Sequence, residues 1–381
     1  MRICLVYDCL FPYTIGGAER WYRNLGERLA AEGHTVTYLT LRQWDRGERG
    51  EIPGVRVVAV GPRMNLYAEQ GRRRIMPPLL FGLGVLLHLL LRGRRYDVVH
   101  TASFPYFSLL AAGALRTLGR FRLVVDWFEV WSRDYWNDYL GAVGGRIGHA
   151  VQALCLRIPQ RAFCYSRLHE RRLREGGVRG EVTTLEGMYG GSLVAREPEV
   201  PEPVVLFAGR HIPEKQVPAI VPAVAVLRRT LPDVRCLILG DGPDRVRVQQ
   251  LVEKLGLEDV VSVPGFVGAE EVDRALRTAA CMVLPSRREG YGMIVIEAGA
   301  AGTPSVVVRG DDNAATELVE EGVNGFVAPS ASAGDLAAAI LAALEGGLEL
   351  RRTTAEWFDR NAERLSLASS LAKVSRVYAS G

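Results

Sequence analysis

The sequence is poor in lysine, although it is mildly basic. Lysine accounts for only three of its 47 basic residues, Lys215, Lys254 and Lys373, and the other 44 are arginines. This bias indicates the codon usage of a GC-rich genome. The net charge of +4 is too small to argue for nucleic acid as a partner, and none is expected.

Paired cysteines and a signal peptide are also lacking. The six cysteines form no Cys-x-x-Cys pair, and several lie in apolar stretches. Buried, reduced thiols suit this placement and favour the cytoplasm. The N-terminus, MRICLVYD, is typical of a β-strand and not of a secretory leader.

One apolar run is long enough to raise the question of a membrane. Ile75–Leu91 carries no charge and has arginines on both sides. It is shorter than the ~20 residues that span a bilayer, and it contains Pro77, Pro78 and His88. These features favour a helix buried in the protein or between domains. The flanking arginines leave a second interpretation open, a helix in peripheral contact with the inner membrane surface.

The length of 381 residues indicates two domains, and the pattern of apolar runs agrees. Short apolar runs alternate with helical stretches, which is typical of parallel βαβ units. A Pro/Glu-rich linker near 194–203 separates two such series. The strands predicted are 3–7, 36–40, 55–60, 98–100, 123–126 and 162–165, and then 204–208, 235–239, 260–263, 281–284 and 305–308. We expect two doubly wound Rossmann-like α/β domains facing each other across a cleft.

The stretch SRREGYGMIVIEA, residues 286–298, sets two glutamates around a glycine pair. Glu289 is expected in a loop after a strand, and Glu297 more than one turn inside the next helix. Gly290 and Gly292 let the backbone approach a ligand, and the helix N-terminus attracts an anion. The pattern favours a nucleotide sugar, which has hydroxyls at both ends and phosphate between them. The alternative is a helix with an acidic flank and one core-facing glutamate.

Two further strand ends have features suited to a diphosphate. AGRHIPEK closes a predicted strand with Gly209, Arg210 and Lys215, whose cations could bind phosphate oxygens or simply be solvated. Gly16 and Gly17 open the first predicted helix, either as a second phosphate contact or as a plain turn. This pair is not the Gly-x-Gly-x-x-Gly dinucleotide motif.

Together these stretches resemble the retaining glycosyltransferases of family 4, which have the GT-B fold. The resemblance covers nearly the whole chain. Glu289 and Glu297 match the family's Glu-x7-Glu element. Four more segments match in the expected order: EGHTVTYLT (32–40), AGRHIPEK (208–215), LILGDGPDR (237–245) and ELVEEGVNGFVAP (317–329).

The resemblance implies a UDP- or GDP-linked sugar as donor. Glu289 would contact the sugar hydroxyls and Glu297 the ribose, while Arg210 and Lys215 would bind the diphosphate and stabilise the leaving nucleotide. Phe266 would lie beside the base. The donor residues assigned in this way are Gly16, Gly17, Gly209, Arg210, Lys215, Phe266, Glu289, Gly290, Tyr291, Gly292 and Glu297. The last helix, within 363–381, would return from a donor domain at 203–362 to the acceptor domain at 1–195.

No metal or other cofactor is implied. The sequence has no Asp-x-Asp motif, and basic side chains with helix dipoles can replace a divalent cation. Retention of anomeric configuration follows from the family. Its form would be a same-face substitution in which the leaving phosphate helps to deprotonate the acceptor.

The acceptor side departs from the family pattern. Phe128 stands where many members have a histidine, so Asp126 or Glu129 is expected to assist the acceptor hydroxyl. His100, on the preceding strand, is expected to be structural. An aromatic stretch begins at the same strand end and is interpreted either as packing or as an acceptor wall. The candidate acceptor residues are Trp127, Phe128, Trp131 and Arg133.

The acceptor is expected to be a lipid-linked cell-envelope glycan or a small natural product. The apolar run at Ile75–Leu91 favours the first, and the aromatic stretch the second. Two other functions are weighed. One is a nucleotide-sugar epimerase, which needs no acceptor. The other is a non-catalytic nucleotide-sugar-binding partner of another transferase, suggested by Phe128.

Overall fold

The computed structural model describes residues 1–45, 47–66 and 74–379. Within this part, one compact unit comprises residues up to 186 together with 370–379, and the other comprises residues 187–369. We call them the N-terminal and C-terminal units. Apart from residues 370–379, the first unit ends at residue 186, whereas the predicted N-terminal domain ends at 195. The second unit ends at residue 369, whereas the predicted donor domain ends at 362.

The N-terminal unit is built on a seven-stranded parallel sheet in the order β3-β2-β1-β4-β5-β6-β7. Six of its strands were predicted. The seventh is a half-buried Val-Thr-Thr segment without an apolar run. The strands are β1 Arg2–Val6, β2 Thr35–Leu41, β3 Val55–Gly61, β4 Val98–Ala102, β5 Arg122–Trp127, β6 Arg161–Cys164 and β7 Val182–Thr184. The helices are α1 Gly17–Ala31, α2 Met76–Arg92, α3 Tyr106–Gly119, α4 Arg133–Leu156 and α5 Arg167–Glu175.

The C-terminal unit has a six-stranded parallel sheet, β10-β9-β8-β11-β13-β15, and a two-stranded ladder, β12-β14. Its strands are β8 Glu202–Ala208, β9 Arg235–Leu239, β10 Val261–Gly265, β11 Ala279–Leu284, β12 Arg288–Glu289, β13 Ser305–Val308, β14 Asp312–Asn313 and β15 Gly325–Ala328. Its helices are α6 Ile220–Leu227, α7 Arg245–Leu255, α8 Ala269–Thr278, α9 Met293–Ala300 and α10 Ala333–Leu365. Central strands such as β11 and β13 are buried on both faces, which explains their uninterrupted apolar sequences.

Each main sheet reverses its chain order once. The reversal lies between β1 and β4 in the N-terminal unit, and between β8 and β11 in the C-terminal unit. In open parallel sheets, ligands bind outside the carboxyl ends of the strands at such a point. The loops after these four strands are therefore the places to look for a site.

The last helix, α11 Leu367–Ala379, contributes its residues from Ser370 onward to the N-terminal unit. Tyr378 is buried there, with its hydroxyl 2.6 Å from Nδ1 of His100. Arg122 donates a 2.6 Å hydrogen bond to the carbonyl of Tyr378. His100 is thus held in the core, as expected of a structural histidine.

The apolar run at Ile75–Leu91 forms α2, but the expectation of a buried helix is correct for only one of its faces. Residues such as Phe81 and Val85 are fully buried, whereas Leu83 and Leu87 are about half exposed. By length and composition, Met76–Arg95 could cross a membrane, with a mean hydropathy of 1.5. Core helices of soluble proteins have the same length and composition.

A buried arginine holds the C-terminal unit together. Arg351, on α10, is 1% exposed. Burial lowers the pKa of its guanidinium to about 10, against the effect of Glu199. The group donates to the carbonyls of Arg277, Ala279 and Ala301 and to the hydroxyl of Thr303, at 2.6–3.1 Å. These acceptors lie at the ends of α8 and α9, so one side chain fixes both helices to α10.

Candidate functional site

Two predicted residues meet where the C-terminal sheet reverses its order. Lys215 closes a short 3₁₀ turn after β8, and Glu289 lies in β12, just after β11. The Lys215 ammonium forms an ion pair with Oε2 of Glu289, and the two side chains are only 18% and 15% exposed. The sequence named both residues but did not predict that they pair.

The position of Glu289 is fixed by the small β12-β14 ladder. Glu289 pairs with Asn313 in that ladder. The buried Asn313 amide donates to the carbonyls of Ser286 and Val308, at 2.9 and 2.7 Å. The Ser286 hydroxyl lies 3.4 Å from Oε2 of Glu289 and donates to it. Sequence reasoning missed Ser286 and Asn313, whose roles depend on segments more than 20 residues apart.

A second pair of charges stands beside the first. The Arg288 guanidinium lies 3.6 Å from the Glu214 carboxylate, and both side chains are largely buried. Burial lowers the pKa of Arg288 to about 10, although the carboxylates of Glu289 and Asp312 oppose the shift. With Lys215 and Glu289, this makes two adjacent ion pairs, and the Asp312 carboxylate adds a further negative charge beside Arg288. A diphosphate entering this cluster would have to displace an internal partner.

The glycines after β8 and β9 allow two loops to touch through their backbones. Gly240 has φ +117°, and a Cβ there would lie 1.9 Å from the Gly209 carbonyl oxygen. Gly242 has φ +149°, and its Cβ would lie 2.5 Å from the carbonyl oxygen of His211. A side chain at either position would push the β8 loop away. This explains the glycines of the LILGDGPDR segment.

Gly292 starts α9 in the left-handed region, with φ +100°, and none of the described side chains caps the helix there. Backbone N–H groups at such an end suit an anion. Glu297 lies half-buried on α9. Burial, and after it the charge of Glu297, raises the pKa of Tyr189. Tyr189 was not predicted.

Four other donor-side candidates, Arg210, Phe266, Gly290 and Tyr291, follow strands of the C-terminal unit. Arg210 is exposed after β8, and within the described part of the chain its side chain forms no hydrogen bond or ion pair. Phe266 is exposed after β10, while Gly290 and Tyr291 are half-buried after β12. Gly16 and Gly17 lie in the N-terminal unit, where they begin α1 with the buried Glu19 folded back toward Gly16.

The structure removes Asp126 from the acceptor-side candidates. Its carboxylate is fully buried and accepts hydrogen bonds from the Trp21 indole and the Tyr165 hydroxyl, both 2.9 Å long. Nε2 of His100 lies 3.1 Å away. An acceptor hydroxyl cannot reach a carboxylate enclosed in this way. We therefore do not retain the predicted catalytic role of Asp126.

Trp127 is likewise a core residue and not part of an acceptor wall. It is fully buried, and its indole donates a 2.8 Å hydrogen bond to Gln160. Gln152 organises the next part of the aromatic stretch, since its side-chain oxygen accepts from the Trp131 backbone, Tyr106 and Trp136. The packing interpretation is correct for these side chains.

Four acceptor-side candidates, Phe128, Glu129, Trp131 and Arg133, retain some solvent exposure. Phe128 stacks on Tyr165 with ring centroids 4.8 Å apart. Glu129 accepts a 2.6 Å hydrogen bond from the Trp131 indole. Arg133 is exposed as the first residue of α4. In the described part of the chain, no group of three or more His, Cys, Asp or Glu side chains could hold a metal ion.

Comparisons with known proteins agree with this architecture. Residues 16–186 match the family model "Glycosyl transferase 4-like domain", and residues 195–361 match "Glycosyl transferases group 1". Over 154 residues the chain is 34% identical to an α-D-kanosaminyltransferase of Streptomyces kanamyceticus, which covers 40% of this chain and 39% of that relative. The match thus spans about two fifths of the relative's length.

Solved structures match over nearly the whole chain. Sucrose-phosphate synthase from Thermosynechococcus elongatus has a TM-score of 0.81 at 21% identity and covers 99% of this chain and 98% of its own. Anabaena HepE, solved in complex with UDP, has a TM-score of 0.75 at 18% identity and covers 100% of both chains. Because the two family models together account for most of the sequence and the fold is shared, the chain belongs to the glycosyltransferases of the GT-B fold.

Proposed function

We propose that this chain is a retaining, family 4 hexosyltransferase of the cytoplasm. It transfers a sugar from a UDP- or GDP-linked donor to an acceptor hydroxyl, without a metal ion or other cofactor. The acceptor is a lipid-linked cell-envelope glycan or a small natural product. The Glu-x7-Glu element supports family 4 and, with it, retention of anomeric configuration. The six free, buried cysteines support the cytoplasm as the compartment.

The observation that carries the proposal is the cluster at the reversal of the C-terminal sheet. There, Lys215 and Glu289 are paired beside the uncapped start of α9. A diphosphate can bind the ammonium and the helix N–H groups, while a sugar hydroxyl takes the Glu289 carboxylate. Arg210 is available for the same phosphates. These cations and dipoles would stabilise the charge on the departing nucleotide, which is the role of a divalent ion in other transferases.

The donor site is tested by calorimetric titration with UDP, GDP and dTDP. UDP comes first, because HepE was solved with it. One nucleotide should bind selectively, and Glu297→Ala should weaken it about tenfold or more, since a charge-assisted hydrogen bond contributes roughly 1.5–3 kcal/mol. Glu356→Ala, at an exposed position on α10, is the matched control and should bind as the wild type does. If none of the three nucleotides binds, the proposal fails.

Turnover separates catalysis from simple binding. The purified chain, given the preferred donor and candidate acceptors, should release free nucleotide and form a glycoside with the donor's anomeric configuration, as read by NMR. An altered sugar still attached to nucleotide would identify an epimerase. Binding without turnover across lipid-linked and small-molecule acceptors would favour the non-catalytic partner suggested by Phe128.

A further inference from the structure

The outward face of α2 is almost entirely aliphatic. The large apolar side chains exposed at its start and along it are Ile75, Met76, Leu79, Leu83, Leu87, Leu90 and Leu91, from 40% to 80% exposed. They recur at the three- and four-residue spacing of one helix face. A soluble monomer rarely leaves a stripe of this kind uncovered.

A second aliphatic stripe lies on α4. Val143, Ile147 and Leu154 are 52–72% exposed and share one face of this helix after its break at Gly141, and Leu140, which is 44% exposed, lies just before the break. Between the two helices stands α3, which packs against both and exposes Leu118 near its end. The β3-to-β4, β4-to-β5 and β5-to-β6 connections all run in one direction across the sheet. Right-handed crossovers therefore place α2, α3 and α4 on the same side of it.

The charged side chains of α2, of α3 and of α4 after Asp138 are all basic, whereas the first two turns of α4 carry the exposed Asp134 and Asp138. The stretches 74–96, 98–125 and 139–169 contain no aspartate or glutamate, although the chain has 43 acidic residues. Exposed arginines border the stripes on several sides. They are Arg74, Arg92, Arg94, Arg95, Arg120, Arg146 and Arg157. We call these arginines, with the two aliphatic stripes and Leu118, the Leu/Arg face.

We propose that the Leu/Arg face docks the N-terminal unit on a membrane that contains anionic lipid. Aliphatic side chains would enter the outer part of the acyl region, and the arginines would contact phosphate headgroups. The 17-residue α2 gives a contact line about 25 Å long. Its other face packs against α3, so the helix lies along the surface and does not cross the bilayer.

A second copy of the chain fits this face less well. A two-fold interface would bring the same surface of both copies together, arginine facing arginine, with no carboxylate from 74–96, 98–125 or 139–169 to pair with them. An anionic leaflet offers both a complementary charge and an apolar layer beneath it. The proposal concerns the N-terminal unit alone and does not depend on the donor chemistry.

The test is co-sedimentation of the full chain with two kinds of vesicle. One is phosphatidylcholine alone, and the other is phosphatidylcholine with phosphatidylglycerol as about a third of the lipid. The face variants are Leu83→Glu/Leu87→Glu on α2 and Val143→Glu/Ile147→Glu on α4. The matched control, Val226→Glu/Val246→Glu, alters side chains of the C-terminal unit that are 38% and 61% exposed, against 51% and 52% for the α2 pair. Because all these positions are exposed, the variants should fold, which thermal melting checks.

The wild type should bind anionic vesicles at least tenfold more tightly than neutral ones, since each arginine near the surface contributes about fivefold. Each face variant should lose at least tenfold, while the control and the nucleotide affinity stay unchanged. Equal binding to both vesicle types, no binding, or unaltered face variants would overturn the proposal. So would a dimer in light scattering that the face variants dissociate, because the occupant would then be a second copy. Nucleotide binding measured on the same samples keeps this result separate from the donor site.

Discussion

Replacing Glu289 by glutamine should tighten binding of the bare nucleotide while abolishing sugar transfer. In the structure, Glu289 holds Lys215 in an ion pair at a largely buried position. A nucleoside diphosphate must draw the Lys215 ammonium away from this partner. It gains nothing from Glu289 itself, because the bare nucleotide lacks the sugar whose hydroxyls the carboxylate would bind.

The size of the effect follows from the charge that glutamine removes. A hydrogen bond to a charged group contributes roughly 1.5–3 kcal/mol. The glutamine oxygen still accepts a hydrogen bond from the Lys215 ammonium but carries no charge, so we expect it to hold the ammonium by about 1–1.5 kcal/mol less than the carboxylate does. This difference corresponds to about five- to tenfold tighter binding of the nucleotide. The gain is limited by Glu214, which still faces Arg288 at 3.6 Å and keeps that cation paired.

Calorimetry with the preferred nucleotide measures this directly. Glu289→Gln should bind it more tightly, Lys215→Met more weakly, and Glu356→Gln, at an exposed position on α10, as the wild type does. In the turnover assay, Glu289→Gln and Lys215→Met should both be inactive. If Glu289→Gln binds the nucleotide no more tightly than the wild type, the ion pair does not compete with the phosphates and the reasoning is refuted.

Two further predictions concern stability. Arg351→Ala should lower the free energy of unfolding by about 3–5 kcal/mol in urea titrations, because it leaves buried carbonyls unpaired, whereas the exposed neighbour variant Arg352→Ala should change it by under about 0.5 kcal/mol. Burial lowers the pKa of His169 to about 3, and its Nδ1 accepts the Val130 N–H at 3.2 Å. The unfolded chain therefore takes up a proton below about pH 6.5 that the folded chain refuses. Stability should fall by about 2 kcal/mol between pH 7 and 5, and His169→Gln should remove that part of the slope. An unchanged slope would contradict the assignment.

The sheets could be predicted from the sequence because parallel strands buried on both faces are uninterrupted apolar runs. The donor residues could be predicted for a related reason, since they follow directly on such runs. The β12-β14 ladder could not be predicted, because two-residue strands have no periodicity and Glu289 pairs with Asn313 across 24 positions. The ion pair between Lys215 and Glu289 could not be predicted from the sequence either. It exists only because β8 and β11 are neighbours in the sheet.

The acceptor side shows where strand-end reasoning fails. In the sequence, an aspartate at the end of a strand has the same appearance whether its carboxylate faces a ligand or the core. Asp126 faces the core. The Asp126 carboxylate is enclosed by Trp21 on α1, His100 on β4 and Tyr165 in the loop between β6 and α5. These partners lie up to 105 residues away. No local pattern around Asp126 carries that information.

The burial of Asp126 also gives residues 370–379, in α11, a structural role. Asp126 lies in β5, two residues before Phe128 and three before Glu129, so whatever fixes its carboxylate also fixes the start of that loop. His100 connects Asp126 to Tyr378, and Arg122, at the beginning of β5, holds the Tyr378 carbonyl. The end of α11 is therefore part of the scaffold of the acceptor-side loop. The N-terminal unit is complete only when residues 370–379 are counted with it, and a fragment that stops at 186 lacks one wall of the network that positions Phe128 and Glu129.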